Sequence, residues 1–209
     1  MSADLDLERS LFAEGFRAII ALDEVGRGAL AGPVSVGAVI IGSDIVEPPV
    51  GIDDSKKLTA KRRRAMCALI AEWVPARAVA HVDAARIDEV GITAALGEAA
   101  SAAIDGLGWK NDDTTVVLLD GKFDFLTPVR SGFEVRTVVG GDGRCASIAA
   151  ASILAKEDRD ARMREWHQVH PEYGWESNVG YGAPAHRRAI TEFGLTDLHR
   201  RSWRLGVSQ

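Results

Sequence analysis

Four carboxylates and one glycine-rich turn carry the chemistry legible in this chain. Asp23 and Glu24 follow an apolar run, Phe16 to Leu22; Asp120 closes a second, Thr114 to Leu119; Asp142 stands in Gly140-Gly141-Asp142-Gly143, ahead of a small, apolar segment. In α/β sheets, side chains at the carboxyl ends of strands are presented to a cleft by a rigid scaffold. Carboxylates gathered there repel one another, and cations offset that repulsion. An oxygen-only donor set without His or Cys selects Mg2+ or Mn2+. Two such ions, about 3.5–4 Å apart, would stabilise the attacking and leaving oxygens in phosphodiester hydrolysis. Plainer roles stay open: Asp120-Gly121 is a turn signal, and Asp142 is a candidate helix N-cap. Glu24, between a core strand and a glycine-rich turn, has no obvious structural task. Gly26-Arg27-Gly28 lets main chain approach a ligand closely, with Arg27 in reach of phosphate. No Gly-Lys-Ser/Thr follows it, which disfavours P-loop chemistry.

The elements that must position these groups alternate strand and helix periods. After an amphipathic start with Leu5, Leu7, Leu11 and Phe12, a strand over Phe16 to Leu22 pairs with a β-branched run from Val34 to Ile41. Asp44 to Leu58 carries Pro48, Pro49 and Gly51 and reads as loop. Thr59 is the N-cap of a helix to about Trp73, whose first turns hold Lys61 to Arg64 against the macrodipole. Ala76 to Val82 and Glu134 to Val139 read as strands, and Ile92 to Leu107 as a small-residue helix. The helix from about Cys145 to His167 should be buried through Ala155 and should emerge into solvent over Lys156 to Arg164. Pro184 opens a last helix that ends near Gly194. Strands mixed with helices give an α/β protein.

Composition narrows the class. With 209 residues, 46% hydrophobic content and net charge −5, the chain is an ordinary globular protein rather than a disordered one. No apolar run approaches membrane-spanning length, and the N-terminus has no secretory layout. Cys67 and Cys145 make no disulfide framework, which suits a cytoplasmic protein. The acidic total hides two basic segments. Residues 183–209 hold Arg187, Arg188, Arg200, Arg201 and Arg204 against two acids, and residues 53–64 hold six lysines and arginines against two. Basic segments can frame an acidic centre and bind nucleic acid. Ser55, Lys56 and Lys57, with Arg201 and Ser202, pair hydroxyl and cation as phosphate oxygens require.

Taken in order, these segments resemble the ribonuclease HII family. The likeness runs through Leu22-Asp23-Glu24-Val25-Gly26-Arg27-Gly28, Asp53-Asp54-Ser55-Lys56-Lys57-Leu58-Thr59, Leu119-Asp120-Gly121, Gly141-Asp142 with Ser147 to Lys156, Gly180-Tyr181-Gly182, and His199 to Trp203. It implies an RNase H-like fold, a mixed five-stranded sheet flanked by helices. It also implies one catalytic domain over 1–209, of which about 170–209 is a helical, substrate-binding extension. The implied activity cuts the RNA strand of RNA–DNA hybrids and nicks DNA duplexes 5′ to embedded ribonucleotides, leaving 5′-phosphate and 3′-hydroxyl ends. Carried over, Asp23, Glu24, Asp120 and Asp142 are the metal-binding catalytic carboxylates. Gly26, Arg27 and Gly28 sense the 2′-hydroxyl that distinguishes RNA from DNA. Tyr181 stacks at the junction.

Two positions depart from the family pattern: Gly140 and Val179 stand where lysines are common. Both remove a cation, so weaker or more salt-sensitive substrate binding is expected. A small-molecule phosphohydrolase and a non-catalytic hybrid-binding module are the alternatives. The first leaves the basic segments unexplained, and the second would be expected to lose metal ligands. A monomer is expected, since no dimer seam is visible. His167 and His170 read as surface residues and Cys145, near a helix start, as a thiol of lowered pKa. Asp160 reads as paired near Arg159 or Arg164, while Lys156 is a weaker phosphate candidate. Gly206 to Gln209 hold no aromatic sliding-clamp motif.

Overall fold

A computed structural model describes residues 3–110 and 114–205, so Gly206 to Gln209 lie outside the described residues. Its centre is a mixed five-stranded sheet in the order β3-β2-β1-β4-β5. These strands are β1 (Ala18–Val25), β2 (Val34–Gly42), β3 (Ala76–Val82), β4 (Thr115–Asp120) and β5 (Glu134–Val138). β1 runs antiparallel to β2 and parallel to β4, which continues parallel to β5. The carboxyl ends of β1 and β4 therefore lie side by side.

Alternation sorts the side chains onto two faces. Ile19, Ala21, Val116 and Leu118 pack with α1 (Asp6–Ala13), α2 (Ala60–Trp73) and the buried half of α5 (Ala146–Val169). Ile20, Leu22, Val117 and Leu119 pack on the other face with α3 (Ala84–Val90) and α4 (Ile92–Gly106). A third apolar cluster joins Leu30, Ala31 and Met163 to Tyr173, Trp175, Ala189 and Ile190. It ties α6 (Trp175–Asn178) and α7 (Pro184–Phe193) to the loop after β1.

α5 crosses the sheet at very short range. A Cβ on Gly37 would fall 2.2 Å from the Ala151 carbonyl oxygen, so only glycine admits the helix there. Gly37 lies opposite Asp23 in the β1–β2 register, which seats the small residues of α5 directly behind that carboxylate. Thr59 caps α2 as the sequence implies, its hydroxyl accepting from the Arg62 amide. Asp83 caps α3, a helix the pattern missed because it spans only seven residues.

Three expectations need correction. β1 does not end before Asp23 but continues through it to Val25, because Asp23 and Glu24 remain paired with Gly37 and Val36. The charged half of α5 does not emerge into solvent: Arg159, Asp160 and Met163 are buried beneath the C-terminal segments. Nor do the two basic segments offer all their cations to nucleic acid. Arg63 and Arg200 are buried, spent on structural contacts.

Candidate active site

The sheet brings the carboxylates together. Asp23 and Glu24 stand near the carboxyl end of β1, Asp120 ends β4, and Asp142 occupies a short 3-10 turn, Gly141–Gly143. Asp120 Oδ1 accepts from the Gly141 amide at 2.7 Å, which fixes the turn bearing Asp142 against the end of β4. Lys56 Nζ stands 3.3 Å from Asp142 Oδ2, so the loop before α2 supplies a cation at the rim.

The electrostatics are those of an anionic cluster short of counter-charge. Burial lifts the Asp23 carboxyl well above the usual range; a Ser152 hydrogen bond opposes this, while Asp120, Glu24 and Asp142 add to it. Burial also raises Glu24, against the nearby Arg27 guanidinium, and raises Asp142, to which Asp120 and Asp54 contribute while Lys56 opposes. Lys56 itself is disfavoured by partial burial, yet Asp142, Asp54 and Asp23 together hold its ammonium above the ordinary value. Glu24 Oε2 is buried without a hydrogen-bond partner. A buried polar atom left unpaired calls for a partner that is not part of the chain. Among the described residues no three His, Cys, Asp or Glu side chains are already closed into a cation-binding group. Side-chain rotation must complete any such set. The all-oxygen donors and the orphaned Glu24 oxygen nevertheless fit a hard divalent cation.

A cleft of about 330 Å³ opens over this cluster, lined by Asp23, Glu24, Ser55, Lys56, Ser152, Lys156 and Tyr181. Larger hollows of about 420 and 450 Å³ lie beside α2, and neither reaches the strand-end carboxylates. Tyr181 is over a third exposed, and its hydroxyl accepts from the Gly26 amide at 3.2 Å. Gly26 has φ +82°, and a Cβ there would strike Arg159 Nε at 2.1 Å, so the turn demands glycine twice over. The turn is held from beneath. Arg159 donates to the carbonyls of Pro33, Ala31 and Val179, and Arg200 to those of Gly26, Arg27 and Gly32.

The phosphate candidates separate. Ser55 and Lys56 line the cleft, although Ser55 is buried and its hydroxyl accepts from Ser152. Lys57 reaches Asp53 at 2.8 Å. Arg201 and Ser202 are bound elsewhere, both amides and the Ser202 hydroxyl donating to the Asp88 carboxylate. Asp160 pairs with Lys156 at 2.5 Å and with Arg63 at 3.4 Å, not with Arg159 or Arg164. The Cys145 thiol is not activated: burial and then Glu8 push it up to about 12, outweighing any help from the helix start. His186 and His199 are buried with Tyr173 and Trp175 in an aromatic cluster, where His186 accepts from Trp175 Nε1 at 3.0 Å. The two loop-holding guanidiniums escaped the sequence reading. Arg159 continues a buried stripe through Ile148, Ser152 and Ala155 at helical spacing, a signal that could have revealed it.

Comparison with known proteins agrees with this geometry. A family model described as Ribonuclease HII matches residues 20–205. Ribonuclease HII of Streptomyces avermitilis is 45% identical over 94% of this chain and 82% of its own. The crystal structure of ribonuclease H2 from Pyrococcus horikoshii superposes with TM-score 0.71 at 22% identity, covering 90% of this chain and 94% of that one. Bst-RNase HIII in complex with Mn2+ superposes with TM-score 0.65 at 18% identity, over 94% of this chain and 70% of that one. The chain belongs to the ribonuclease HII family of metal-dependent endoribonucleases.

Proposed function

We propose that this endoribonuclease nicks DNA duplexes on the 5′ side of an embedded ribonucleotide, besides cutting the RNA strand of RNA–DNA hybrids. Asp23, Glu24, Asp120 and Asp142 are the groups that hold Mg2+ or Mn2+. When bound, the ions supply positive charge to the attacking and leaving oxygens of the phosphodiester. The chain's own residues do the rest. Gly26, Arg27 and Gly28 bring main chain and one guanidinium to the ribose and its phosphate, and Tyr181 packs against the sugar at the junction with DNA. Lys56 leaves Asp142 for a phosphate oxygen, with Ser55 and Lys57 beside it. Ser202 is set aside as a contact in this reading, because Asp88 already engages its amide and hydroxyl, while the Arg201 guanidinium, exposed beside Asp197, stays a phosphate contact. Residues from about 170 onward form the substrate-binding extension of a single domain. The enzyme works as a monomer in the cytoplasm, a compartment suited to two unpaired cysteines. Among the described residues no helix is long and apolar enough to cross a membrane.

The buried, unpartnered Glu24 Oε2 within a cluster of raised carboxyls is the observation that carries the reading. The test is a DNA duplex with one ribonucleotide, incubated with Mg2+ or Mn2+, beside an all-DNA duplex and an Asp120→Asn control. One nick 5′ to the ribonucleotide, absent from both controls, is expected. Equal cleavage of a free nucleotide would favour a small-molecule phosphohydrolase instead.

A further inference from the structure

Glu8 lies outside the segment that matches the family model, which begins at residue 20. It is nonetheless fully buried, and its carboxylate reaches 139 positions along the chain. Glu8 Oε1 accepts from the Ser147 amide at 2.9 Å and from the Ser147 hydroxyl at 2.6 Å, while Oε2 has no hydrogen-bond partner. Ser147 is in the first turn of α5, whose own N-cap, Cys145, offers no side-chain cap. The first amides of a helix need acceptors from outside it. Here α1 provides one, and the segment before it provides another. The Ala146 amide donates to the Asp4 carbonyl at 2.7 Å, and the Asp4 amide donates back to Arg144 at 3.0 Å. The N-terminal segment thus grips residues 144–147 from both directions. Asp142 is two residues upstream of that grip, in a turn whose other anchor is the Asp120 contact with Gly141.

A buried carboxylate is a costly way to cap a helix, since burial raises the Glu8 carboxyl despite both Ser147 hydrogen bonds. A serine or aspartate at Cys145 would do so locally. What the distant carboxylate adds is a fixed relation between α1 and the turn carrying Asp142. We propose that Glu8 is a positioning residue: through Ser147 it holds the first turn of α5, and with it Asp142, at the place where the ion-binding carboxylates converge. The proposal rests on the reading of Asp142 as one of those carboxylates.

The test titrates Mn2+ alone into the full chain by calorimetry, without nucleic acid, and records a melting curve for each variant. Glu8→Ala is expected to weaken Mn2+ binding about tenfold, the scale on which groups supporting a ligand act. Glu8→Gln keeps an acceptor for Ser147 and should stay within about threefold of the parent chain. Ser147→Ala removes only the hydroxyl donor, should give a loss between the two, and decides alone if Glu8→Ala fails to fold. Unchanged Mn2+ affinity alongside a lowered melting temperature would overturn the proposal, leaving Glu8 a helix cap only. Equal losses in Glu8→Gln and Glu8→Ala would overturn it as well, because the hydrogen bond would then not be what acts. Asp142→Asn separates the two failures: if it binds Mn2+ as the parent does, the ion-holding role of Asp142 is what is wrong.

Discussion

Buried charge is treated in opposite ways on the two sides of Gly26. Beneath the turn, Arg159 and Arg200 are fully buried, and each spreads its donors over three main-chain carbonyls. Among the described residues neither is held by an ion pair. Burial and the adjacent Arg159 bring Arg200 down to about 9, which leaves it charged at neutral pH. Above the turn, burial raises the Asp23 and Glu24 carboxyls at the end of β1, and one Glu24 oxygen is unpaired. The guanidiniums are satisfied within the chain, whereas the unpaired Glu24 oxygen faces a cleft beside further carboxylates, the arrangement expected of a functional site. The guanidiniums shape the turn, and the carboxylates are the groups we propose for the cations.

The contrast can be broken by substitution. Asp120→Asn should lower cleavage of the ribonucleotide-bearing duplex about a thousandfold, equivalent to about 4 kcal/mol of transition-state stabilisation. Single-turnover rates at saturating Mg2+ check this, and far-ultraviolet dichroism should show no loss of folding. Arg200→Ala should do the reverse in kind, lowering unfolding free energy by about 3 kcal/mol because three carbonyls of the turn lose their donors. Urea denaturation reads that loss; a change under about 1 kcal/mol would mean water replaces the guanidinium freely.

Acid sharpens the same distinction in the C-terminal cluster. Burial, and then His186, hold His199 down to about 4, below the ordinary 6.5. The unfolded chain therefore binds the proton first. The stability this neutral histidine provides is whole above pH 6.5 and drains away as pH falls toward 4, by on the order of 2 kcal/mol. Melting curves from pH 7 to pH 4.5 for the parent and His199→Gln should converge at the acid end. The smallest effect concerns the missing lysines. Val179 has φ +42°, a left-handed backbone that a β-branched residue adopts only under strain, held there in part by Arg159. Val179→Lys should relieve some of that strain, raise stability by about 0.5 kcal/mol and lower KM about threefold. Gly140 is also left-handed, with φ +66° and open space around it, so Gly140→Lys should cost about 1 kcal/mol while adding a cation. A KM unchanged in both variants would mean that these positions lie outside the substrate path.

Most of the sheet was legible because its signals are local. β-branched runs, the Thr59 cap and the Pro184 and Gly194 boundaries each depend on neighbours in sequence. The proximity of the four carboxylates was legible for a related reason: each sits near the end of a strand or the start of a buried helix. What escaped depends on tertiary partners. Nothing near Arg159 in sequence states that its acceptors are Ala31, Pro33 and Val179, so its charge read as solvent-facing. Ser202 suits phosphate by type, yet Asp88, more than a hundred residues away, accepts from both its amide and its hydroxyl. Cys145 was misjudged because burial beside Glu8 outweighs a helix terminus. Local rules find the places where chain direction changes. They do not reveal which charges the fold then covers.

If the strand-end carboxylates serve the reaction, they do so at the expense of the fold. The unfolding free energy of Asp23→Asn, measured in urea at pH 7 without divalent ions, tests that most directly. The substitution removes a carboxyl whose pKa is raised first by burial and then by its acidic neighbours, and it keeps the shape, so the variant should be as stable as the parent or up to about 1 kcal/mol more stable, with cleavage lost. A variant destabilised by about 2 kcal/mol or more would contradict the account, because Asp23 would then be part of the architecture it was taken to strain.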